Sequence, residues 1–156
     1  MDSINRQQSE ENYKELKGAH AGKKIKELAG KNKTCFFCTA ITTGRPLSVR
    51  PMSVQKMDEE GNFWFLSAND SHKNEEINVD NNVQLLFQGS AHSDFLTVFG
   101  MATISTDKEL IKELWEPIIK TWFTGGVDDP RITVIKVECR HGYYWDNKHG
   151  NAVALI

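Results

Sequence analysis

Asn62-Phe63-Trp64-Phe65-Leu66-Ser67 is followed, after a short polar turn, by Ser71-His72-Lys73-Asn74-Glu75-Glu76-Ile77-Asn78-Val79. The first run is aromatic and strand-like, and the second reads as a short helix with acids in its first turn and Ser71 at the N-cap. The first amides of a helix have no internal acceptor and sit at the positive end of its dipole. An anion placed there meets N–H donors, the Ser71 hydroxyl and the Lys73 ammonium together. Arg50, in a strand upstream, can add a bidentate guanidinium. On this segment alone, a capped surface helix beside an unrelated lysine is the plainer reading.

Working outward, Gly44-Arg45-Pro46-Leu47-Ser48-Val49-Arg50-Pro51-Met52-Ser53-Val54-Gln55 gives a turn and a strand, and Met57-Asp58-Glu59-Glu60-Gly61-Asn62 reads as a hairpin turn into the aromatic strand. Strands are expected over 34–42, 47–56, 62–67, 83–87 and 95–105, with a last strand or bent pair over 132–139 and 142–145. Helices are expected over 21–31, stopped near Gly30, over 71–79, and from Asp107 to the interruption at Pro117. A polar stretch from Gln7 to Gly18, with Tyr13 and Leu16 as a thin apolar stripe, reads as an N-terminal arm over 1–18 ahead of one domain over 19–156. Six or so strands with short helices at the edges describe a mostly β, α+β antiparallel barrel.

Composition narrows the function. The chain has 156 residues, is 39% hydrophobic and carries a formal charge of −2, with the signs interspersed. One core fits such a chain, and a basic stripe for nucleic acid or a membrane surface is missing from the pattern. With no apolar run of transmembrane length and no signal-peptide core in Met1 to Gln8, the sequence reads as cytoplasmic. Three cysteines do not make a disulfide framework. Cys35-Phe36-Phe37-Cys38 has redox or metal spacing, but in a strand residues three apart point to opposite faces, which favours a buried strand over a zinc pair. His20, His72, His92, His141 and His149 follow no metal spacing. Asp128-Asp129 sits in a turn with no acid placed opposite it for hydrolysis.

Taken in order, strand, Arg50-Pro51-Met52, acidic Gly turn, aromatic strand, Ser71-His72-Lys73, helix, Asn-Asn-Val-Gln-Leu-Leu-Phe and Tyr144-Trp145 resemble the pyridoxamine 5'-phosphate oxidase-like flavin-binding split barrels, closest to the bacterial general stress protein subfamily. The resemblance covers residues 20 to 147 and implies a six-stranded Greek-key split barrel binding FMN, or alternatively FAD. It implies that Arg50 contacts the phosphate with Ser71, His72 and Lys73, and that Met52, Ser53 and Val54 run beside the flavin ring. Leu66 and Ser67 fall at the second strand of contacts. It further implies a homodimer with flavin at the interface, where Trp145, and more weakly Trp122, reaches the partner's cofactor. Eight aromatic residues in strands, some sent outward by alternation, agree with a subunit contact.

The sequence also departs from the family pattern. His72 stands where an arginine is common, Ser93-Asp94-Phe95 replaces a flavin-contacting glutamine, and Gln55 stands at the place of a substrate lysine. No Arg-x-His pair follows Trp145, and Arg45, Arg131 and Arg140 remain as substitutes. Oxidation of pyridoxine or pyridoxamine 5'-phosphate is therefore not expected, and no catalytic residue is assigned. Three functions stay open: a flavin-dependent oxidoreductase on a small molecule, with a reduced nicotinamide as a candidate donor; a non-catalytic flavin-binding, sensing or storage module; and a cofactor-free interaction domain. Arg50, Ser71 and Lys73 argue against the last, because buried cations without an anion are costly.

Overall fold

The computed structural model describes residues 18–145 together with the strand at 152–155. The expected N-terminal arm with Tyr13 and Leu16, and His149 in the C-terminal tail, lie outside the described residues. Three helices, α1 (Ala19–Ala29), α2 (His72–Val79) and α3 (Lys108–Leu114), flank strands β1 (Thr34–Thr39), β2 (Ser48–Ser53), β3 (Lys56–Met57), β4 (Asn62–Ala68), β5 (Asn82–Gln88), β6 (Phe95–Ser105), β7 (Ile132–Trp145) and β8 (Ala152–Leu155). Two 3-10 turns, Pro117–Thr121 and Gly126–Asp128, follow α3.

All pairings are antiparallel. The sheet runs β2-β1-β5-β6-β7-β4-β3, with β8 pairing separately on β7. The expectation of a split barrel holds, but the expected count of six strands does not: seven strands follow one path and β8 is added to it. One reason is local. The stretch expected as a single strand over 47–56 divides at Val54-Gln55, whose neighbouring amides bond in opposite directions. Val54 N–H donates to the Lys33 carbonyl at 2.7 Å on the β1 side, and Gln55 N–H donates to the Trp64 carbonyl at 2.8 Å on the β4 side. Successive strand amides point to opposite edges, so this crossing lets one run of chain close both ends of the sheet. The last strand, expected as one or as a bent pair, is continuous. Phe99 faces His141 while Gly100 faces Cys139, leaving Arg140 as the extra residue of a bulge. A Cβ at Gly100 would lie 2.4 Å from the Glu138 carbonyl oxygen, which is why a glycine stands there.

Alternation sorts the aromatic residues. Phe37, Phe63, Phe65 and Phe87 point into the barrel with Leu85, Val98, Val137 and Tyr144. Phe37 meets Phe65 edge-on at 5.1 Å between centroids, and Phe63 stacks on Phe87 at 5.5 Å. Cys35 joins this core while Cys38 lies on the other side of β1, both buried and free. On the outer side of β4 and β7, α3 and the first 3-10 turn build a second cluster of Ile111, Leu114, Ile119, Phe123, Ile132 and Val134, against which Trp64, Leu66 and Ala68 pack. Asp107 caps α3 by accepting from the Glu109 amide at 3.0 Å.

Helix α1 plugs one end of the barrel with Ile25, Leu28 and Ala29. Its Gly22 lies so close to the β3–β4 hairpin that an added Cβ would sit 2.0 Å from the Glu59 carbonyl oxygen. That hairpin is rigid, since Asp58 Oδ1 accepts from the amides of Glu60 and Asn62 at 2.9 Å each and Gly61 takes a left-handed φ of 84°. Gly22→Ala is therefore expected to lift α1 and destabilise the protein by about 1–3 kcal/mol in urea unfolding, whereas a helix free of this contact would gain stability from the same change.

Candidate functional site

Because β3 pairs with β4 at Trp64 and Phe63 alone, the β4 edge beyond them separates from β2. The split opens a cleft of about 520 Å³ between Arg50, Pro51, Met52 and Ser53 of β2 and Leu66, Ser67 and Ala68 of β4. Thr34 and Gln55 close one end, Lys73 of α2 stands at another, and Ile119, Trp122 and Phe123 form a wall from the second cluster. A mostly apolar slot with a few convergent polar groups is the usual character of a small-molecule site, and this volume falls in the usual range.

Helix α2 is placed by a buried polar network. Ser71 caps it as expected, its Oγ accepting from the Asn74 amide at 3.3 Å. The Asn74 side chain does the anchoring: its Oδ1 accepts from Ser67 Oγ at 2.7 Å and from Ser71 Oγ at 3.0 Å, and its Nδ2 donates to Thr133 Oγ1 at 2.9 Å. Thr133 Oγ1 in turn donates to the Ser67 carbonyl at 2.8 Å. The helix is thereby tied to β4 and β7 through groups that have no water to replace these bonds.

Arg50 and Lys73, which the sequence pairs as cations, differ in their surroundings. Arg50 Nη1 donates to Thr39 Oγ1 at 2.9 Å and to the Phe37 carbonyl at 3.2 Å, and Nη2 donates to Glu76 Oε1 at 3.1 Å. Thr39 Oγ1 donates to the other Glu76 oxygen at 3.1 Å. Arg50 is thus not a cation without an anion, and the sequence argument that treated it as one is corrected by Glu76. Burial pushes the Glu76 carboxyl up, but bonds from Ser48 and Thr39 and the Arg50 charge outweigh it and hold the group below its ordinary range. Lys73 is half-buried and has no ion-pair or hydrogen-bond partner among the described residues. Burial, and then the neighbouring Arg50 charge, push its ammonium below the ordinary lysine range. A cation in that position is what an incoming anion would complete.

Of the residues singled out in the sequence, the structure brings Arg50, Met52, Ser53, Leu66, Ser67 and Lys73 to this cleft. Ser71 stands behind it in the Asn74 network. Val54 is buried in the barrel core, and its amide is already used by Lys33. His72 is almost fully exposed, 3.8 Å from Glu75, and opens onto a separate groove with Ser48, Val49, Arg50 and Glu76. Trp145 pairs with Phe95 at the far end of β7, whereas Ser67 and Leu66 pair with Thr133 and Val134 near its start. An extended strand of that length spans roughly 35–40 Å, so Trp145 does not reach this cleft in its own chain. Trp122, 64% exposed, does line it.

Sequence reasoning missed Thr34, Pro51, Ala68, Ile119 and Phe123 as cleft walls, and Glu76 and Asn74 as the partners that set Arg50 and α2; Gln55, read at the place of a substrate lysine, closes one end of the cleft. The Asn74-Glu75-Glu76 spacing behind Ser71 carried that signal. Other candidates are structural. Asp129 accepts from Arg131 Nε at 3.1 Å and Nη2 at 2.8 Å and from the Gly125 amide at 3.2 Å, bonds that hold its carboxyl far below the usual range. The Cys35 thiol is pushed up to about 12 by burial and then by Cys38, and Cys139 to about 11 by burial, which makes poor nucleophiles or metal ligands of them at neutral pH. Among the described residues, no group of three or more His, Cys, Asp or Glu side chains is arranged to hold a metal ion, and no helix is long and apolar enough to cross a membrane.

The sequence model of the family described as "Pyridoxamine 5'-phosphate oxidase like" matches residues 20–156. Protein bli-3 of Neurospora crassa is 28% identical over 133 residues, covering 78% of this chain and 64% of that protein, so the chain spans less than two thirds of this relative's length. Among solved structures, the fold is similar to a Clostridium acetobutylicum protein related to general stress protein 26, at a TM-score of 0.70 and 21% identity, over 82% of this chain and 88% of that one. General Stress Protein 26 of Bacillus anthracis gives 0.68 and 22%, over 81% and 94%. The general stress FMN/FAD binding protein of Xanthomonas citri gives 0.66 and 21%, over 80% and 89%.

Asn74→Ala is expected to destabilise the protein by about 2–3 kcal/mol in urea unfolding, because it leaves Ser67 and Thr133 hydroxyls buried with fewer partners. A shift below about 0.5 kcal/mol would show that α2 is held by something else.

Proposed function

The chain belongs to the pyridoxamine 5'-phosphate oxidase-like family, and on that premise we propose that it is a flavoprotein binding FMN in the cleft between β2 and β4. The carrying observation is Lys73, a half-buried cation without a partner among the described residues, at the end of an apolar slot. A flavin phosphate would complete it, while two Arg50 donors, Nε–H and one N–H on Nη2, have no bond among the described residues and remain to share. Leu66, Met52, Ile119, Trp122 and Phe123 fit an aromatic ring system, and the β2 and β4 edges, unpaired on the cleft side, offer backbone groups to its polar rim.

A bound flavin supplies hydride and electron transfer. The cleft walls include no His, Asp, Glu, Cys or Tyr among the described residues, and their lysine, Lys73, is the group this reading gives to the phosphate, so this chain's part is to bind, orient and exclude water. We read it as a redox protein taking hydride or electrons from a small donor such as a reduced nicotinamide, with a non-catalytic flavin-binding module as the alternative. A second phosphorylated ligand finds little here, since Arg45, Arg131 and Arg140 do not line the cleft. Arg131 is paired with Asp129, and Arg140 lies 3.7 Å from Glu138. The cytoplasm suits three free cysteines.

We further propose a homodimer across the outer face of β2, β1 and β5. Phe36, 56% exposed, lies beside Pro51 and Leu86 in the ladder, with Val49 and Leu47 also exposed nearby. The face continues to Tyr143 and Trp145 on β7, 42% and 40% exposed. A contiguous apolar face of this kind is what a two-fold contact covers, and it would carry Trp145 toward the neighbouring subunit.

Titration of the apoprotein with FMN tests the first proposal. Lys73→Ala is expected to weaken binding about 30- to 1000-fold with stability unchanged or raised, and binding as tight as the parent's would move the phosphate elsewhere. Light scattering tests the second: the protein is expected at twice its chain mass at micromolar concentration, and Phe36→Asp at the monomer mass. A monomeric parent with flavin present would overturn it.

A further inference from the structure

Arg50 lies between two openings. One side faces the cleft together with Lys73, and the other faces the open groove that contains Ser48, Val49, His72, Glu75 and Glu76. Glu76 reaches the guanidinium from the groove side and does not line the cleft. Although Lys73 and Glu76 are three apart on α2, a spacing that commonly pairs charges, no ion pair forms between them. Glu76 is held instead on Arg50 and Thr39, at 3.1 Å from each. The cluster of Arg50, Lys73 and Glu76 therefore presents a net charge of one positive unit, all of it at Lys73.

Resting on the flavin reading above, we propose that Glu76 is a positioning residue that sets this charge and so limits preference for a dianionic terminal phosphate, leaving FMN and FAD bound with comparable strength. At about pH 8 the phosphomonoester of FMN carries two negative charges, since its second pKa is near 6. The phosphate nearest the flavin in FAD is joined through an anhydride oxygen to the AMP phosphate and carries one, the second charge of the pyrophosphate lying one phosphorus further from the cluster. A site with one uncompensated positive unit gains less from the second charge than a site with two. Arg50 borders both the cleft and a solvent-open groove, so the phosphate end of the site lies near solvent rather than in the barrel core.

Glu76→Gln isolates the charge. The amide is isosteric, its oxygen still accepts from Arg50 Nη2, and the Thr39 hydroxyl accepts from its NH2 in place of donating. The apoproteins of parent and variant are titrated with riboflavin, FMN and FAD at about pH 8 by flavin fluorescence, with circular dichroism checking the fold. Riboflavin, which has no phosphate, is expected to bind both proteins within about twofold, while FMN gains about threefold to tenfold more than FAD in the variant. An unchanged FMN-to-FAD ratio, an equal gain for all three flavins, or weaker FMN binding with the fold intact overturns the role given to Glu76 and leaves the flavin site standing. If the parent protein binds none of the three, the flavin reading fails and this inference fails with it.

Discussion

Two neighbouring amides hold the architecture together. Val54 and Gln55 bond to opposite edges of the sheet, to Lys33 and to Trp64, and this crossing closes a barrel whose end strands would otherwise be open. The crossing brings the two end strands of the sheet together, so the edges left unpaired face each other across a split rather than other chains. It also determines where the barrel cannot close. β3 is two residues long, so beyond Trp64 the β4 edge has no strand beside it, and the space between that edge and β2 is filled neither by backbone nor by core. The cleft is a by-product of where the chain changes sides, which is why its walls come from elements far apart in sequence.

The charge arrangement follows from the same geometry. β2 places Arg50 at the rim of the split, where β1 and α2 both reach it, and Phe37, Thr39 and Glu76 take three of the five guanidinium N–H groups. Lys73 sits one turn earlier on α2 and faces the cleft without such company. Two cations that look equivalent in sequence thus divide the work: Arg50 ties three elements together, and Lys73 carries the free charge. Half-burial of a lone ammonium costs stability, and a fold that keeps one opposite an apolar slot is compatible with a ligand that supplies the missing anion.

Much of this was readable in the residues. Ser71 at the N-cap, Asp107 at the start of α3 and the Asp58 to Gly61 turn rest on local chemistry, and each is found as expected; alternation along β4, expected without assignment of faces, turns Phe63 and Phe65 inward and Trp64 and Leu66 outward. Local chemistry also explains the misses. Nothing in Met52-Ser53-Val54-Gln55-Lys56 tells a reader that the strand switches partners at Val54, since both halves have the same β-like pattern and the cause is the position of β4. Glu76 and Asn74 were read as ordinary helix residues because their partners, Arg50 and Thr133, are distant in sequence. Trp122 was expected, more weakly than Trp145, at a partner's cofactor; in the structure Ile119 and Phe123 anchor the turn that carries it, and Trp122 lines the cleft of its own chain.

The sheet order has a kinetic meaning as well. β4 meets β7 through pairs such as Asn62 with Glu138 and Ala68 with Ile132, so one wall of the cleft depends on loop closure across nearly half the chain. Pairings of that separation lose chain entropy before they gain contacts, and folds dominated by them acquire their native order late. The hairpin of β1 and β2 and that of β5 and β6 are local and need no such search. A cleft lined by β2 and β4 therefore does not exist in a half-formed barrel. Any molecule that fits it meets the finished fold alone, and draws the population toward that state by mass action.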